Sequence, residues 1–329
     1  MGAPGIDPSP SVGLLLTTLR VTLEATISAE VRDPRTGSIE AAGYVGPAGQ
    51  RIFTYSHLPG STARAGLLVC PALLRDFLGN YRREVELARA LAAREVGVYR
   101  FHHRGTGHSE GEWLDASVDR LCQDATTIVH QMREQLADVP IGALGTRVGV
   151  FVAAASVARQ PPEAPLVLWD PVVDAKGYLR QALRAQGIKN LRQKSRHAPS
   201  GSELARALVE TGSIDLLGYL LPHSLHEDMI AVELPEILGD TPRSVLIVTK
   251  GPAPRDASVL GAELEARGFD VAFESVETGD SWWFDPELMP VVGTEDTPAA
   301  PAIPVLSPYV EVTLRWLRRL DGEAGGVSA

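Results

Sequence analysis

The chain has 329 residues, of which 44% are hydrophobic, so it is long enough for one large α/β domain with an insertion. Its net charge is −10 and it contains no block of Lys or Arg, which argues against nucleic acid or an anionic membrane as the main partner. Two cysteines indicate no disulfide framework. Because the sequence also shows no signal-peptide pattern and no apolar run that could span a bilayer, we expect a cytoplasmic protein.

Residues 1–40 are predicted to form an extension that precedes the main domain. Within it Leu15, Leu19, Leu23 and Ile27 recur every four positions, which predicts an amphipathic helix over Ser11–Glu30. This helix either packs on its own domain, forms an oligomer contact, or lies on a membrane surface.

Residues 41–170 alternate between strand and helix patterns, which predicts a parallel sheet with helices on both faces. The region opens with a hairpin between Gly43 and Pro59. The following strands are predicted at Ala65–Cys70, Val96–Phe101, Ile141–Leu144 and Pro165–Trp169, and the helices at Tyr81–Arg94, Val118–Leu136 and Val148–Val157.

Residues 171–241 interrupt this alternation with about seventy residues of charged, helical sequence, longer than an ordinary connection and therefore predicted to be a lid. The core resumes over 242–320, and 321–329 is expected to be a flexible tail. The resumed core is predicted to contain strands Ser244–Thr249 and Val271–Glu274, helices Ala257–Arg267 and Pro308–Leu320, and a proline-rich loop over Glu295–Pro304.

A tight turn is predicted at Gly145-Thr146-Arg147-Val148-Gly149, which we call the elbow. It joins a strand to a helix of small residues and has the glycine spacing of G-x-S-x-G, the motif that raises a nucleophilic serine above a sheet. Arg147 holds the central position, and a guanidinium cannot attack a carbonyl. Two interpretations remain open: Arg147 binds an anionic ligand at the helix N-terminus, or it pairs with an acidic neighbour such as Asp170.

Two other places carry candidate catalytic side chains. His102 and His103 begin the stretch His-His-Arg-Gly-Thr-Gly-His-Ser, which forms either a structural turn or, with His108, an acid/base or metal cluster, although no known metal-ligand spacing is present. Cys70 ends the strand before Pro71, and it could act as a nucleophile if His102 or His103 served as its base.

Four stretches resemble the α/β hydrolases associated with the exosortase A system, specifically the group called hydrolase 2. That group is similar to this chain in having arginine at the elbow. The stretches are Gly145–Gly149, Leu166–Val173 with Tyr178-Leu179, Ile214–Tyr219, and Gly279–Met289. The resemblance implies the α/β-hydrolase fold, with a mostly parallel central sheet and a helical lid inserted before the penultimate strand. Its name implies hydrolysis linked to exopolysaccharide export.

The usual catalytic triad of this fold has two vacant positions in this sequence. The triad histidine follows the last strand, but all eight histidines precede that strand, and none follows His226. Asp256 can fill the acid position, yet it has no histidine to orient. The loop that should carry the histidine instead contains Asp280, Ser281, Trp282 and Trp283. The rings of the two tryptophans can hold a ligand or pack under the lid.

The candidate residues are therefore as follows. The catalytic candidates are Arg147, Asp256, Cys70, His102 and His103. The substrate-binding candidates are Pro71, Leu73, Thr146, Val148, Asp170, His223, Asp280, Ser281, Trp282 and Trp283. The sequence implies no metal and no cofactor.

Three functions fit these observations. The first is an enzyme or binding protein that holds a small acyl, ester or carboxylate ligand under the lid, with Arg147 as anion anchor or electrophile. The second is an inactive pseudo-hydrolase that binds a protein partner, or forms a homodimer, through the N-terminal helix or the lid. The third, an ordinary serine hydrolase, needs a serine such as Ser109 or Ser281 in an unusual place.

Overall fold

The computed structural model describes residues 26–192, 199–277 and 306–325. Its strands are β1 (Thr26–Arg32), β2 (Ile39–Val45), β3 (Ile52–Leu58), β4 (Ala65–Cys70), β5 (Val96–Phe101), β6 (Ile141–Thr146), β7 (Leu166–Trp169), β8 (Ser213–Leu216), β9 (Tyr219–Pro222), β10 (Ser244–Lys250) and β11 (Asp270–Val276). Its helices are α1 (Arg75–Ala92), α2 (Val118–Leu136), α3 (Gly149–Val157), α4 (Ala175–Arg192), α5 (Gly201–Thr211), α6 (His223–Ala231), α7 (Leu234–Leu238), α8 (Arg255–Ala266) and α9 (Pro308–Gly325), with a 3₁₀ turn at Trp113–Asp115.

Nine of these strands form one sheet, in the order β1-β2-β3-β5-β4-β6-β7-β10-β11. The pairs β1–β2, β2–β3 and β3–β5 are antiparallel, whereas the pairs from β5 through β4, β6, β7 and β10 to β11 are all parallel. The carboxyl ends of the parallel strands meet at one edge of the sheet. The loops after β4, β5, β6 and β7 therefore lie side by side, where ligands bind in open α/β sheets.

Helices cover both faces of this sheet, so the predicted α/β architecture is confirmed. On one face α1 and α9 bury Leu87, Leu91 and Trp316 against the strands, and on the other α2 and α3 bury Ile128 and Phe151. The 3.6-residue apolar period of α2 explains why its predicted span is confirmed. No helix in the described ranges is both long and apolar enough to cross a membrane.

The N-terminal helix prediction is wrong where the structure describes it. Thr26–Arg32 is an edge strand that pairs antiparallel with β2, so β1 and the start of β2 belong to the main sheet rather than to an extension over 1–40. Positions four apart share one face in a strand as well as in a helix, so the spacing that ended at Ile27 could not discriminate between them. The rest of the predicted helix lies outside the described residues.

The segment between β7 and β10 contains α4 to α7 and a two-stranded hairpin, β8–β9. Helices were expected throughout, and the hairpin corrects that prediction. Its turn residues Leu217 and Gly218 have φ of 60° and 97°, the pair of positive values that a tight hairpin turn of type I′ needs. Leucine rather than Asn or Asp at the first of these positions concealed the turn in the sequence.

Candidate functional site

The elbow joins β6 to α3 through a residue in the left-handed region, because Arg147 has a φ of 55°. The glycines on either side are required by close contacts. A Cβ atom at Gly145 would lie 2.5 Å from the main chain of α3, and one at Gly149 would lie 2.5 Å from the carbonyl oxygen of Cys70. The predicted strand–turn–helix geometry is therefore present, and it packs directly against the end of β4.

Arg147 is held by an ion pair. Its Nε donates to Oδ2 of Asp76 at 2.9 Å, its Nη1 donates to the carbonyl oxygen of Asp170 at 2.9 Å, and its guanidinium lies 5.5 Å from the centre of the Tyr178 ring. The Tyr178 hydroxyl donates to the same Asp76 oxygen at 3.0 Å. Burial lowers the pKa of Arg147, but the Asp76 carboxylate outweighs it, so this pKa lies above its ordinary value and the side chain is a permanent cation.

The acidic partner predicted for Arg147 was Asp170, and the structure corrects this. Both carboxylate oxygens of Asp170 are bound elsewhere: Oδ1 accepts from the Lys250 N–H at 2.8 Å, and Oδ2 accepts from the Tyr309 hydroxyl at 2.5 Å. Only its carbonyl oxygen reaches Arg147. Asp170 therefore fixes the ends of β7 and β10 to α9, a structural use of a residue predicted to bind substrate.

Cys70 is fully buried, and burial raises the pKa of its thiol well above the ordinary value. The protonated thiol is a poor nucleophile and no substrate can reach it without rearrangement, so the structure contradicts the thiol mechanism. The neighbouring elbow residues Thr146 and Val148 are also buried, at 0% and 2% exposure. Their side chains belong to the protein interior.

His102 lies in a cluster of aromatic rings formed by Phe53, Tyr55, Phe77 and Tyr81. Burial lowers its pKa to about 4, with His108 as the next cause. Its Nδ1 accepts a hydrogen bond from the main-chain N–H of His108 at 3.2 Å, which closes the loop after β5. His102 thus supports the structural-turn interpretation of this loop.

His103 faces the other side of the sheet and is also buried. Its Nδ1 lies 3.1 Å from Oδ2 of Asp124 on α2. Asp124 also accepts from the main-chain N–H of Arg104 at 3.0 Å and from the Arg104 guanidinium. Burial raises the pKa of Asp124, but the hydrogen bonds and charges of His103 and Arg104 outweigh it, so the net effect is a lowered pKa and an ionised carboxylate.

A cavity of about 480 Å³ lies at the carboxyl edge of the sheet, between the loop after β4, the loop after β5 and the β8–β9 hairpin. We call it the loop pocket. It brings together three predicted residues, Pro71, Leu73 and His103, and its wall is otherwise mainly apolar. The remaining lining residues are Ala72, Leu74, Phe77, Leu78, Gly105, Thr106, Gly107, Trp113, Tyr219 and Leu220.

Three predicted sites lie away from the loop pocket or outside the described residues. Asp256 is in the first turn of α8, where its carboxylate accepts from the N–H of Ala257 at 2.9 Å. His223 begins α6 and lies 3.5 Å from the Glu227 carboxylate on the same helix. The predicted binding residues Asp280, Ser281, Trp282 and Trp283 and the proline-rich loop are outside the described residues.

A second cavity, of about 560 Å³, lies among the helices of the insertion and includes none of the predicted site residues. Basic residues of α4, namely Lys176, Arg180 and Arg184, line one side of it. Over the described ranges no three His, Cys, Asp or Glu side chains are grouped as a metal site requires.

Sequence reasoning missed most of the loop-pocket lining, and it also missed Asp76 and Asp124, the acidic partners of Arg147 and His103. A signal for Asp124 was present: it falls between Leu121 and Ala125 on the apolar face of α2, where a polar residue needs a buried partner. Asp76 gave no comparable signal, because its contact with Arg147 joins residues 71 positions apart.

Comparisons with known proteins agree with this geometry. A family model described as Hydrolase_4, serine aminopeptidase S33, matches residues 77–211, which is less than half of the chain. The fold is similar to a putative hydrolase from Agrobacterium vitis, with a TM-score of 0.56, 18% identity, and coverage of 86% of this chain and 98% of that one. The chain has the α/β-hydrolase fold.

Two further solved structures are similar in fold at low identity. Mouse alpha/beta hydrolase domain-containing protein 10 has a TM-score of 0.52 at 13% identity, covering 86% of this chain and 99% of that one. Est1E from Butyrivibrio proteoclasticus, in a structure with bound ferulic acid, has a TM-score of 0.53 at 14% identity, covering 71% of this chain and 88% of that one. The sequence matches none of the curated proteins.

Proposed function

We propose that this protein binds a small apolar ligand, such as an acyl chain or an aromatic ring, in the loop pocket, and that its elbow makes no nucleophilic attack. The observation that carries this proposal is the loop pocket itself. Its volume, about 480 Å³, is in the range of small-molecule sites, and Leu73, Phe77 and Leu78 supply apolar surface. Its position at the carboxyl edge of the parallel strands is where α/β sheets bind ligands.

The elbow supports a structural role for Arg147 rather than the role of anion anchor or electrophile. Arg147 stands at the central position of the motif that carries the nucleophile in this fold, and it is not among the residues that line the loop pocket. Its charge is compensated by Asp76 at 2.9 Å. An anionic group on the ligand is therefore not required for binding.

The insertion supports the proposal by serving as a lid. Tyr219 and Leu220 of the β8–β9 hairpin line the loop pocket, and the Trp113 indole N–H donates to the carbonyl oxygen of Leu220 at 2.8 Å. This bond joins the hairpin to the loop between β5 and α2. A ligand in the pocket would be covered by the hairpin and shielded from water.

A fluorescence titration with 2-naphthol tests the proposal. For a probe of this size we expect a dissociation constant of about 10–500 µM. Leu78 lines the pocket and is 54% exposed. Leu78→Trp replaces it with a larger side chain that fills volume the probe would occupy, so it should weaken binding at least about tenfold. The matched control is Val209→Trp on α5, which is 64% exposed and does not line the pocket.

Undetectable binding of 2-naphthol, or equal weakening by both tryptophan variants, would contradict the proposal. The first result would favour the pseudo-hydrolase that binds a protein partner. Membership of the exosortase-associated hydrolase 2 group, which the sequence motifs suggest, remains a prediction, and the neighbouring genes would test it.

A further inference from the structure

His103 is the one imidazole in the wall of the loop pocket, and one of its nitrogens has no partner within the described chain. The side chain is only 1% exposed, and Nδ1 is bound to Asp124. Nε2 is buried and makes no hydrogen bond to any described residue. A buried polar atom left without a partner costs free energy, so such an atom is a candidate contact for a bound ligand.

Asp124 determines which hydrogen-bonding role Nε2 can take. An ionised carboxylate only accepts hydrogen bonds, so the nitrogen that faces it, Nδ1, carries the proton. In the neutral ring Nε2 then has a free lone pair and is an acceptor. Asp124 is itself held by the main-chain N–H and the guanidinium of Arg104, which fixes the orientation of the pair.

The neighbouring pocket residues donate no hydrogen bond to His103 Nε2. Leu73, Phe77 and Leu78 have no side-chain donor, and the Trp113 N–H is used by Leu220. The Thr106 hydroxyl donates to the carbonyl oxygen of His103 at 2.7 Å and is therefore also occupied. The Tyr219 hydroxyl also lines the pocket, but it makes no hydrogen bond to Nε2. A donor for Nε2 therefore comes from water or from the ligand.

We propose that His103 Nε2 accepts a hydrogen bond from a hydroxyl group of the ligand, so that the loop pocket selects apolar molecules that carry an alcohol or a phenol. This inference rests on the proposed function, because it names the polar group of the ligand that the same pocket binds. Asp124 acts through His103 as a positioning residue.

A pair of matched probes tests this selection in the unmodified protein. 2-Naphthol and 2-methylnaphthalene have nearly the same shape but differ in the hydroxyl group. We expect 2-naphthol to bind wild-type protein about five- to tenfold more tightly, the effect of one hydrogen bond to a buried acceptor. In His103→Phe the two affinities should become equal within about twofold. His108→Phe, at an exposed position outside the pocket, should preserve the preference.

A second measurement keeps the test decisive if His103→Phe does not fold. The ¹⁵N resonance of His103 Nε2 in wild-type protein should shift when 2-naphthol is added and should not shift with 2-methylnaphthalene. Equal binding of both probes by wild-type protein, or a preference that survives in His103→Phe, would overturn the inference and leave the proposed function standing. Failure of both probes to bind would overturn both.

Discussion

Nε of Arg147 at the elbow donates to Oδ2 of Asp76 at the start of α1, across 2.9 Å and 71 positions of sequence. The bond ties the turn after β6 to the helix that follows the pocket loop. Tyr178 from the insertion donates to the same carboxylate oxygen. One carboxylate therefore joins the core, the pocket loop and the insertion, and the arginine at the elbow has a defined structural use.

Breaking this pair should destabilise the fold. Arg147→Met should lower the free energy of unfolding by about 1–3 kcal/mol, because it leaves a partly buried Asp76 without its cation. Urea denaturation followed by circular dichroism measures the change. In a double-mutant cycle with Asp76→Asn, the coupling energy should be about 1 kcal/mol or more.

The pair of Arg206 and Glu210 provides the control for this prediction. Both of these side chains are about two-thirds exposed, with 3.9 Å between the charged atoms, so Arg206→Met should change stability by less than about 0.5 kcal/mol. Equal effects of the two arginine substitutions would show that the elbow pair has no special role. The affinity for 2-naphthol should remain within about twofold of wild type in Arg147→Met, since Arg147 does not line the loop pocket.

Acid should destabilise the protein through His102. Burial lowers its folded-state pKa to about 4, whereas the unfolded value is about 6.5. Between these values the unfolded chain binds more protons, so stability falls as the pH falls from 6.5 to 4, by up to about 3 kcal/mol for this residue. Urea titrations at several pH values measure this decrease.

His102→Asn should flatten that pH dependence, because its side-chain oxygen can still accept from the His108 N–H but does not titrate. His130→Asn, at an exposed position on α2, is the control and should leave the slope unchanged. The buried His57, whose pKa burial also lowers to about 4, should produce the slope that remains in His102→Asn. An unchanged slope in His102→Asn would contradict the assignment of a buried neutral ring.

The thiol of Cys70 should be unreactive in the native protein. Cys122→Ala leaves Cys70 as the only cysteine, and its alkylation by iodoacetamide should be at least about 100-fold slower in the native protein than in urea, because burial both raises its pKa and blocks access. A fluorophosphonate probe should likewise label no serine. Rapid alkylation of native Cys70, or one labelled serine found by mass spectrometry, would show a nucleophile that the proposed function excludes.

The bond between Trp113 and Leu220 should hold the hairpin over the loop pocket. Trp113→Phe keeps most of the ring surface but removes the N–H donor, so amide hydrogen exchange over β8 and β9 should become faster. We expect 2-naphthol binding to weaken about three- to tenfold. The exposed neighbour Leu114 offers the control Leu114→Ala, which should alter neither measurement. Unchanged exchange in Trp113→Phe would show that the hairpin is held by other contacts.

The sequence predicted the core of the fold because local patterns determine it. The apolar runs of β4 and β5 and the helical period of α2 are confirmed to the residue at both ends. The β8–β9 hairpin was missed because its turn uses leucine at a position with positive φ. The helix predicted through Glu30 failed because a four-residue spacing also marks one face of a strand.

The candidate site was harder to predict, because its geometry depends on contacts between distant parts of the chain. The elbow and the residues at the ends of β4 and β5 follow from motifs, and the structure brings Pro71, Leu73 and His103 together. The partners of Arg147 and His103 do not follow from motifs, since a strand pattern does not fix which helix lies above which loop. Asp76 and Asp124 reach Arg147 and His103 only because α1 and α2 pack beside these loops in the folded chain.

A crystal structure of the protein soaked with 2-naphthol tests the central claim most directly. We predict density for the naphthalene ring in the loop pocket, between Leu73 and Phe77 on one side and the β8–β9 hairpin on the other, with Arg147 still paired with Asp76. Density confined to the second cavity, beside Arg180 of the insertion, or a loop pocket that stays empty at a saturating probe concentration, would contradict the claim.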